Sequence, residues 1–553
     1  MNYQNHHISF LNIMKIQSLR PPKFPKQIQK ILLLLCWVGI CSVQAQNYEW
    51  ALGIGGTNFD AANDVAVDAS GNVYVVGNFR STNVDFDPST GNSANLTADV
   101  IDVFIAKYTK NGEYLWAHKI GGTNTDDGLN IAVDANGNVY IAGTFSGTVD
   151  FDPSAGGVAN LNDGAGTGFF AKYDTDGNYV WAHNIGTKSS GIAVDASNNV
   201  YVIGNFFGTL DFDPSTTNTA NLTAGAIDIF FAKYDTDGNY AWAYSIGGGG
   251  FNFKNGNSIV VDGSGNVYIT GDFMGSDVDF DPSAGGTANL SSNGEADAFF
   301  AKYDSNGNYL WAHHIGGSAH DGGVVIRVDA SSNVYITGAF SSANVDFDPS
   351  AGGTANLSSN GSLDIFFAKY DSNGNYAWAH HIGQTNKDAG RGMTVDGSGN
   401  VYITGYFQGF NVDFDPSAGG TALLSANRST ASSIYVAKYN SNGAYVWAYE
   451  IGGDNSNNGA GIALDGQENI VFTGHFSEDN ADFDPITGGT APLSNLGEYD
   501  IFLAKYCQSA PAGAGSITSS ATTVCQTQTG VTYTVPVIAN ATGYTWTLPV
   551  GAN

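Results

Sequence analysis

The stretches DVAVDASGNVYVVGNF at residues 64–79 and DVFIAKYTKNGEYLWAHKI at residues 102–120 decide the fold. Each contains two short runs rich in β-forming residues on either side of a tight turn. The turn of the second stretch includes Asn111-Gly112, which supplies the positive φ that a hairpin requires. The two stretches therefore predict four strands, a to d, at residues 64–68, 72–79, 102–108 and 113–120.

This four-stranded unit recurs along the chain. A V-D-x-x-x-N-V-Y-like hairpin, a D-F-D-P segment, an A-K-Y triplet and a tryptophan each occur seven times, and the tryptophans are spaced by 61 to 69 residues. The tryptophans are Trp50, Trp116, Trp181, Trp242, Trp311, Trp378 and Trp447. Four-stranded antiparallel units repeated radially form a β-propeller. We therefore predict an all-β, seven-bladed propeller.

The two ends of the repeat predict how the ring closes. NYEWALGIGG at residues 47–56 is a d strand with no a, b or c strand before it, and DIFLAKY at residues 500–506 is a c strand with no d strand after it. The N-terminal strand would complete the seventh blade. The alternative is an open solenoid, which would leave two incomplete units with exposed edges.

The N-terminal 45 residues have the features of a signal peptide. They hold five Lys or Arg and no acid, and they end in the apolar run ILLLLCWVGICSV at residues 31–43. The run of 13 residues is too short to span a bilayer as a helix. Small residues at Val43 and Ala45 predict cleavage after Ala45 and hence a secreted or cell-surface protein with no membrane insertion after cleavage.

The remaining chain is strongly acidic. Of 21 Lys and Arg residues, five leave with the leader, so 16 remain against 51 Asp and Glu, a formal charge of −35. Such a surface repels nucleic acid and anionic membranes. It suits divalent cations, basic partners or neutral carbohydrate. Cys507 and Cys525 are the two cysteines left, and whether they pair stays open.

The repeats resemble a known family. VDGSGNVYITGDF at residues 261–273 and FFAKYDSNGNYLWA at residues 299–312 resemble the SBBP family of bacterial β-propeller repeats, a likeness that extends over residues 47–506. The resemblance implies a secreted or surface protein without a shared set of catalytic residues.

The C-terminal segment has a different pattern. VCQTQTGVTYTVPVIANATGYTWTLPVGAN at residues 524–553 resembles the first half of a PKD-like, immunoglobulin-type module. We expect a truncated β-sandwich and a fragment of a longer protein. The predicted organisation is a signal peptide at 1–45, a propeller at 46–506 and a partial PKD-like module at 507–553.

The D-F-D-P segments are the strongest candidates for ion binding. In an extended run, residues i and i+2 lie on one face, about 7 Å apart, and Ca²⁺ binds carboxylate and carbonyl oxygens. The alternative, which we favour, is that these aspartates cap turns or pair with the repeated lysine. The candidate calcium ligands are Asp85, Asp87, Asp150, Asp152, Asp211, Asp213, Asp279, Asp281, Asp346, Asp348, Asp413, Asp415, Asp482 and Asp484.

The ligand-binding candidates are residues that depart from the repeat. The b–c and d–a connections lie on one side of an antiparallel blade and vary in length, and variable loops on a rigid scaffold commonly carry binding residues. Arg327 interrupts an apolar strand a and would face the central axis. The candidate set is Phe251, Phe253, Lys254, His320, Asp321, Arg327 and Arg391.

These patterns favour a binding or adhesion protein over an enzyme, because residues repeated in every blade are poor candidates for an asymmetric catalytic site. A carbohydrate or a surface protein is the expected partner, and calcium is the one cofactor considered. The alternatives are a secreted enzyme acting on polysaccharide or peptide at the same face, and a structural spacer in a larger surface protein. An enzyme should gather unlike groups, such as His, Tyr and Arg, around one opening.

Overall fold

The computed structural model describes residues 46–508, apart from 90, 249, 251–252, 453–454 and 485–488, together with 518–519 and 533–534. Within these residues the chain forms seven antiparallel four-stranded blades, each in the spatial order a-b-c-d, and the sheet of blade 3 continues from its strand d into a short two-stranded hairpin at Val278–Asp279 and Asn289–Leu290. The predicted all-β, seven-bladed architecture is confirmed.

The strands of each blade have the following bounds, in the order a, b, c, d. Blade 1 comprises Asp60–Val67, Val73–Phe79, Asp102–Tyr108 and Tyr114–Ile120, and blade 2 comprises Asp127–Val133, Val139–Asp150, Asn160–Tyr173 and Tyr179–Asn184. Blade 3 comprises Lys188–Val194, Val200–Asp211, Asn221–Tyr234 and Tyr240–Gly248, and blade 4 comprises Lys254–Val261, Val267–Phe273, Asp297–Tyr303 and Tyr309–Ile315. Blade 5 comprises Asp321–Val328, Val334–Phe340, Asp364–Tyr370 and Tyr376–Ile382, and blade 6 comprises Ala389–Val395, Val401–Gln408, Ser432–Tyr439 and Tyr445–Ile451. Blade 7 comprises Asn458–Leu464, Ile470–Phe476, Asp500–Gln508 and, from the N-terminus, Gln46–Ile54.

The ring closes through the N-terminal strand. Gln46–Ile54 lies beside Asp500–Gln508 as the outer strand of blade 7. Every strand a contacts strand a of both neighbouring blades, from blade 1 to blade 7 and back to blade 1. The a strands therefore form the inner ring, and the open solenoid considered from the sequence is wrong.

The hydrophobic core lies between the blades. Strand b of blade 1 is fully buried, and its side chains point alternately to the two neighbouring blades. Val75 packs in the cluster shared with blade 7, whereas Val76 packs in the cluster shared with blade 2. Burial on both faces explains why the strand carries apolar side chains on both faces rather than at alternate positions, with Asn78 as its polar residue.

Each D-F-D-P segment forms a turn that its own aspartates cap. In blade 1, the Asp85 carboxylate accepts hydrogen bonds from the backbone N–H groups of Asp87 and Ala94, at 3.0 and 2.8 Å. The phenylalanine between the aspartates is buried, and Tyr108 donates to its carbonyl. Turn capping, the favoured alternative, is thus present. The turn begins a two-stranded hairpin in blades 1, 4, 5, 6 and 7, with the strands Val84–Asp85 and Asn95–Leu96, Val278–Asp279 and Asn289–Leu290, Val345–Asp346 and Asn356–Leu357, Val412–Asp413 and Leu423–Leu424, and Ala481–Asp482 and Pro492–Leu493.

The chain divides into two compact units, of which Tyr48–Cys507 is the propeller. In the other unit, Thr518–Ser519 pairs with Tyr533–Thr534. The predicted signal peptide and most of the predicted PKD-like module lie outside the described residues. Cys507 is disulfide-bonded, while Cys525 is outside the described residues. In the described part of the chain there is no helix with the length and apolarity needed to cross a membrane.

Candidate functional site

A cavity of about 330 Å³ lies on the propeller axis, and strand a of every blade contributes to its wall. Its charged lining residues are Asp64, Lys188, Arg327 and Arg391. A β-bulge follows Ala62 in strand a of blade 1, so the neighbouring residues Asn63 and Asp64 both line the cavity. We call this space the axial cavity.

Arg327 lies on the axis, as its position in an apolar strand a suggested. The equivalent position in blade 1 is Ala66, so the arginine adds a long charged side chain where that blade has a methyl group. Its Nη1 donates to the Ile326 carbonyl at 2.9 Å. Burial raises the pKa of Asp64 to about 6, and the Arg327 charge opposes this shift.

A second cavity, of about 260 Å³, is lined by residues at the d–a and b–c ends of blades 4 to 6. Phe253 and His320 stand immediately before strand a of blades 4 and 5, and Arg391 is the third residue of strand a in blade 6. Asp272 and Tyr406 are the sixth residues of strand b in blades 4 and 6. We call these five residues the mouth cluster.

The mouth cluster combines aromatic surface with charge. Phe253 is 41% exposed, which is unusual for a phenylalanine in this protein. The Arg391 guanidinium carbon lies 5.8 Å from the centroid of the Tyr406 ring, a cation–π arrangement. Because Arg391 also lines the axial cavity, it connects the two spaces.

Asp272 has a carboxylate that the protein does not fully satisfy. Asn257 donates to its Oδ1 at 3.0 Å, whereas its Oδ2 is buried without a hydrogen-bond partner among the described residues. Burial raises the pKa of Asp272, while the hydrogen bond from Asn257 and the charge of His320 oppose this shift. A buried, unpartnered carboxylate oxygen at a cavity wall can accept a hydrogen bond from a ligand hydroxyl or amide.

The remaining predicted ligand residues lie elsewhere. Lys254 is fully buried and forms an ion pair with Asp228 at 3.3 Å. Asp321 is buried and accepts hydrogen bonds from the backbone N–H groups of Gly317, Ser341 and Ser342. Both hold the d–a connection in place. Phe251 lies outside the described residues.

Sequence reasoning missed Asp272, Tyr406 and Lys188. The first two occupy one position of strand b that holds Asn78 in blade 1 and His475 in blade 7. Aligning the blades at this position would have shown a variable polar site within an otherwise apolar strand. Lys188 would have been found in the same way, since Ala61 is its equivalent in blade 1.

The candidate calcium ligands remain a prediction. Their carboxylates accept backbone hydrogen bonds throughout the blades, as in Asp211, which receives the N–H groups of Asp213 and Ala220. Across the residues that the structure describes, no group of three or more His, Cys, Asp or Glu side chains is arranged to hold a metal ion.

Comparison with known families agrees with this architecture. Residues 115–144 and 377–406 match the SBBP family, described as a Beta-propeller repeat, and residues 510–553 match a PKD-like domain. The chain is a β-propeller repeat protein with a PKD-like domain. The resemblance inferred from the repeat sequences is confirmed.

This β-propeller repeat protein is similar to two other proteins over different lengths. It is 27% identical over 532 residues to an uncharacterized WD repeat-containing protein of Acanthamoeba polyphaga mimivirus, covering 83% of this chain and 38% of the relative. It is 28% identical over 136 residues to the regulatory protein FlaEY of Caulobacter vibrioides, covering 24% of this chain and 14% of the relative. The chain thus spans well under half the length of either relative. Among solved structures, Sqt1 from Chaetomium thermophilum is similar with a TM-score of 0.37 and 10% identity, covering 78% of this chain and 97% of that one.

Proposed function

We propose that the propeller is a ligand-binding module of a secreted or surface-attached protein and that its ligand docks at the mouth cluster. The observation that carries this proposal is the convergence of Phe253, His320 and Arg391 from three blades on one cavity. These residues depart from the repeat, so they build one distinctive site rather than seven equivalent ones. Variable loops and strand ends on a rigid scaffold are suited to this role.

The chemistry of the mouth cluster favours carbohydrate as the ligand. Exposed aromatic faces such as Phe253 can stack on the apolar face of a sugar ring, and Asp272 and Arg391 can hydrogen-bond its hydroxyl groups. The cavity of about 260 Å³ is close to the lower end of the size range for small-molecule sites. A surface protein that inserts a side chain here is the second outcome of the test.

Calorimetry on the protein from Gln46 onward, with a panel of neutral and acidic oligosaccharides, tests the proposal. Phe253→Ala and Arg391→Gln should each weaken binding by about tenfold or more, which is the effect of losing one anchoring contact. Asp176→Asn, in the exposed c–d turn of blade 2, is the control on the opposite side of the blades and should bind as the wild type does. Equal losses in the control, or no loss in either mouth variant, would place the ligand elsewhere.

Point substitutions are a sharper test than exchange of the whole d–a loop. Replacing residues 247–258 by the short loop of blade 3 would also remove Lys254 and thus leave Asp228 buried without its ion-pair partner. Loss of a buried charge partner destabilises the fold on its own account. Reduced binding by the exchanged loop would therefore mix a folding effect with a binding effect.

A hydrolase acting on polysaccharide or peptide is the alternative function, and one observation favours it. Asp272, His320, Arg391 and Tyr406 are unlike groups around one opening, as an enzyme requires. A carboxyl with a raised pKa is suited to general-acid catalysis. If an oligosaccharide or peptide is cleaved, Asp272→Asn should abolish turnover while retaining binding, whereas a pure binding module turns over no substrate.

Export is part of the proposal and has its own test. The leader at residues 1–45 supports it by its basic start, apolar run and small residues at Val43 and Ala45. Expression in a bacterial host followed by fractionation and N-terminal sequencing should yield a chain beginning at Gln46 outside the cytoplasm. An intact N-terminus in the cytoplasmic fraction would contradict export.

A further inference from the structure

The distribution of cations in the propeller is uneven. After Ala45 the chain has 16 Lys and Arg residues, of which seven occupy the A-K-Y position, so nine remain. Three of these nine, Lys188, Arg327 and Arg391, line the axial cavity, whereas Asp64 is the one acid among the described residues that does so. A cavity rich in positive charge thus lies at the centre of a chain whose formal charge from Gln46 onward is −35.

Two of the cations that line the axial cavity, Lys188 and Arg391, keep their hydrogen-bonding capacity. Elsewhere in the propeller, Lys119 and Lys254 form ion pairs with aspartates at 2.7 and 3.3 Å. Lys188 and Arg391 form no ion pair within 4.0 Å in the described part of the chain, and both side chains are exposed. A guanidinium has five N–H donors and an ammonium has three.

The acids near the axial cavity do not neutralise it by direct contact. Asp64 lines the wall, and the charge of Lys188 acts on Asp127 and Asp272 without an ion pair among the described residues. Burial raises the pKa of each of these carboxyls. Three cations facing one confined space repel one another, and this repulsion is relieved by an anion between them.

We propose that the axial cavity is a binding site for an oxyanion, the carboxylate, sulfate or phosphate group of a ligand, held by Lys188, Arg391 and Arg327. Guanidinium groups bind such anions through two parallel N–H···O bonds, and the ammonium adds a point charge. This site shares Arg391 with the mouth cluster, whereas Lys188 and Arg327 line the axial cavity and not the second one. The anion could be a free small molecule or the acidic group of a saccharide that enters from the mouth, and the test separates the two.

Calorimetry at low ionic strength on the protein from Gln46 onward tests the site with three probes: inorganic phosphate, citrate and trigalacturonate. Lys188→Gln and Arg391→Gln should each weaken binding by about tenfold or more, as expected for a charge-assisted contact. Lys387→Gln is the matched control, because Lys387 is an exposed cation just before strand a of blade 6 and is not part of the axial cavity. Binding of phosphate or citrate indicates a free small anion, and binding of trigalacturonate alone indicates an acidic saccharide.

Lys188→Gln separates this proposal from the proposed function, because Lys188 does not line the mouth cluster. That variant should lose anion binding and keep the affinity of any neutral ligand bound at the mouth. If Arg327→Gln unfolds at the same temperature as the wild type, this variant should weaken anion binding as well. The proposal is overturned if none of the three probes binds, or if Lys387→Gln weakens binding as much as Lys188→Gln does.

Discussion

Lys172 of blade 2 donates hydrogen bonds to both the carbonyl oxygen and the Oγ1 of Thr236 in blade 3, at 2.9 and 3.0 Å. Trp181 donates to the same carbonyl at 3.3 Å, and the ammonium lies 5.1 Å from the centroid of the Tyr140 ring. The same contact between lysine and the next blade's c–d turn recurs as Lys107 to Thr175, Lys302 to Ser372, Lys369 to Ser441 and Lys505 to Lys110. The repeated lysine and tryptophan therefore join neighbouring blades on the tight-turn side.

The first prediction concerns this contact. Lys172→Met removes the ammonium but keeps most of the apolar stem, so the free energy of unfolding should fall by about 1.5–3 kcal/mol, the usual range for a hydrogen bond to a charged group. Urea denaturation measures the change. Lys387→Met, at an exposed position, should leave the unfolding curve within about 0.5 kcal/mol of the wild type. A Lys172→Met protein as stable as the control would show that the contact contributes nothing.

The second prediction uses two glycines with similar backbone angles. Gly238 has φ +80°, and a Cβ there would lie 2.6 Å from His183 Nε2 of the preceding blade, whereas Gly208 has φ +70° and no atom within 4 Å of the same position. Both alanine variants bear the cost of positive φ, but Gly238→Ala alone pushes two blades apart. Gly238→Ala should therefore be less stable than Gly208→Ala by at least about 1 kcal/mol. Equal melting temperatures would mean that the turn moves away without cost.

The third prediction concerns ring closure. A protein that begins at Gly55 lacks the outer strand of blade 7, including Trp50, which donates to the Lys110 carbonyl of blade 1 at 3.1 Å. Its melting temperature should fall far more than that of a protein that ends at Gln508, since the first truncation opens the ring and exposes the edge of Asp500–Gln508. Differential scanning calorimetry compares the two. Equal shifts would contradict a closing role for the N-terminal strand.

The fourth prediction separates turn capping from calcium binding at the D-F-D-P segments. Asp211→Ala removes the acceptor of two backbone N–H groups, so the free energy of unfolding should fall by about 1–3 kcal/mol. If capping is the whole role of Asp211, the loss is the same in chelator and in calcium. A wild-type protein that gains stability with calcium, when the variant does not, would instead establish an ion site.

The fifth prediction concerns pH. Burial raises the pKa of Asp297 to about 7, and its Oδ1 has no hydrogen-bond partner among the described residues. A folded-state pKa above the unfolded value stabilises the fold below about pH 4, and this stabilisation is lost as the pH rises to about 7. Asp297→Asn should therefore gain stability relative to the wild type between pH 4 and pH 7, which is the interval between the unfolded-state and folded-state pKa values of Asp297.

The pH experiment compares the two proteins at each pH because the histidines act in the opposite direction. Burial lowers the pKa of His183 to about 4, so stability from that group is lost as the pH falls from about 6.5. Taking the difference between variant and wild type removes this contribution. A difference that does not change with pH would show that Asp297 titrates normally in the folded protein.

The sequence predicted the fold well because the same evidence is present seven times. One hairpin with Asn-Gly is a weak signal, but seven copies with an orphan strand at each end determine both the number of blades and their closure. Strand a was placed too short, at residues 64–68 instead of Asp60–Val67. Asp60 accepts backbone hydrogen bonds, Ala61 and Ala62 are buried, and Asn63 lines the axial cavity, so these first residues lack the β-forming pattern.

The candidate site was predicted less completely, for a physical reason. Departures from a repeat identify unusual residues, but not whether each is exposed or buried. Phe253 and Lys254 are adjacent departures, yet one is exposed at the mouth and the other is fully buried. Successive residues of a strand point to opposite faces, so only the register of the strand distinguishes them.

The closing strand also sets the order in which the molecule can assemble. Gln46–Ile54 leaves the ribosome before any other part of the propeller, but its partner Asp500–Gln508 is synthesised after all the other strands. Until then the first strand has no neighbour with which to pair, and blade 7 cannot be completed. A nascent chain interrupted before residue 500 would therefore carry an unfinished ring. Only a chain that is translated through its last blade can form the closed, protease-resistant product.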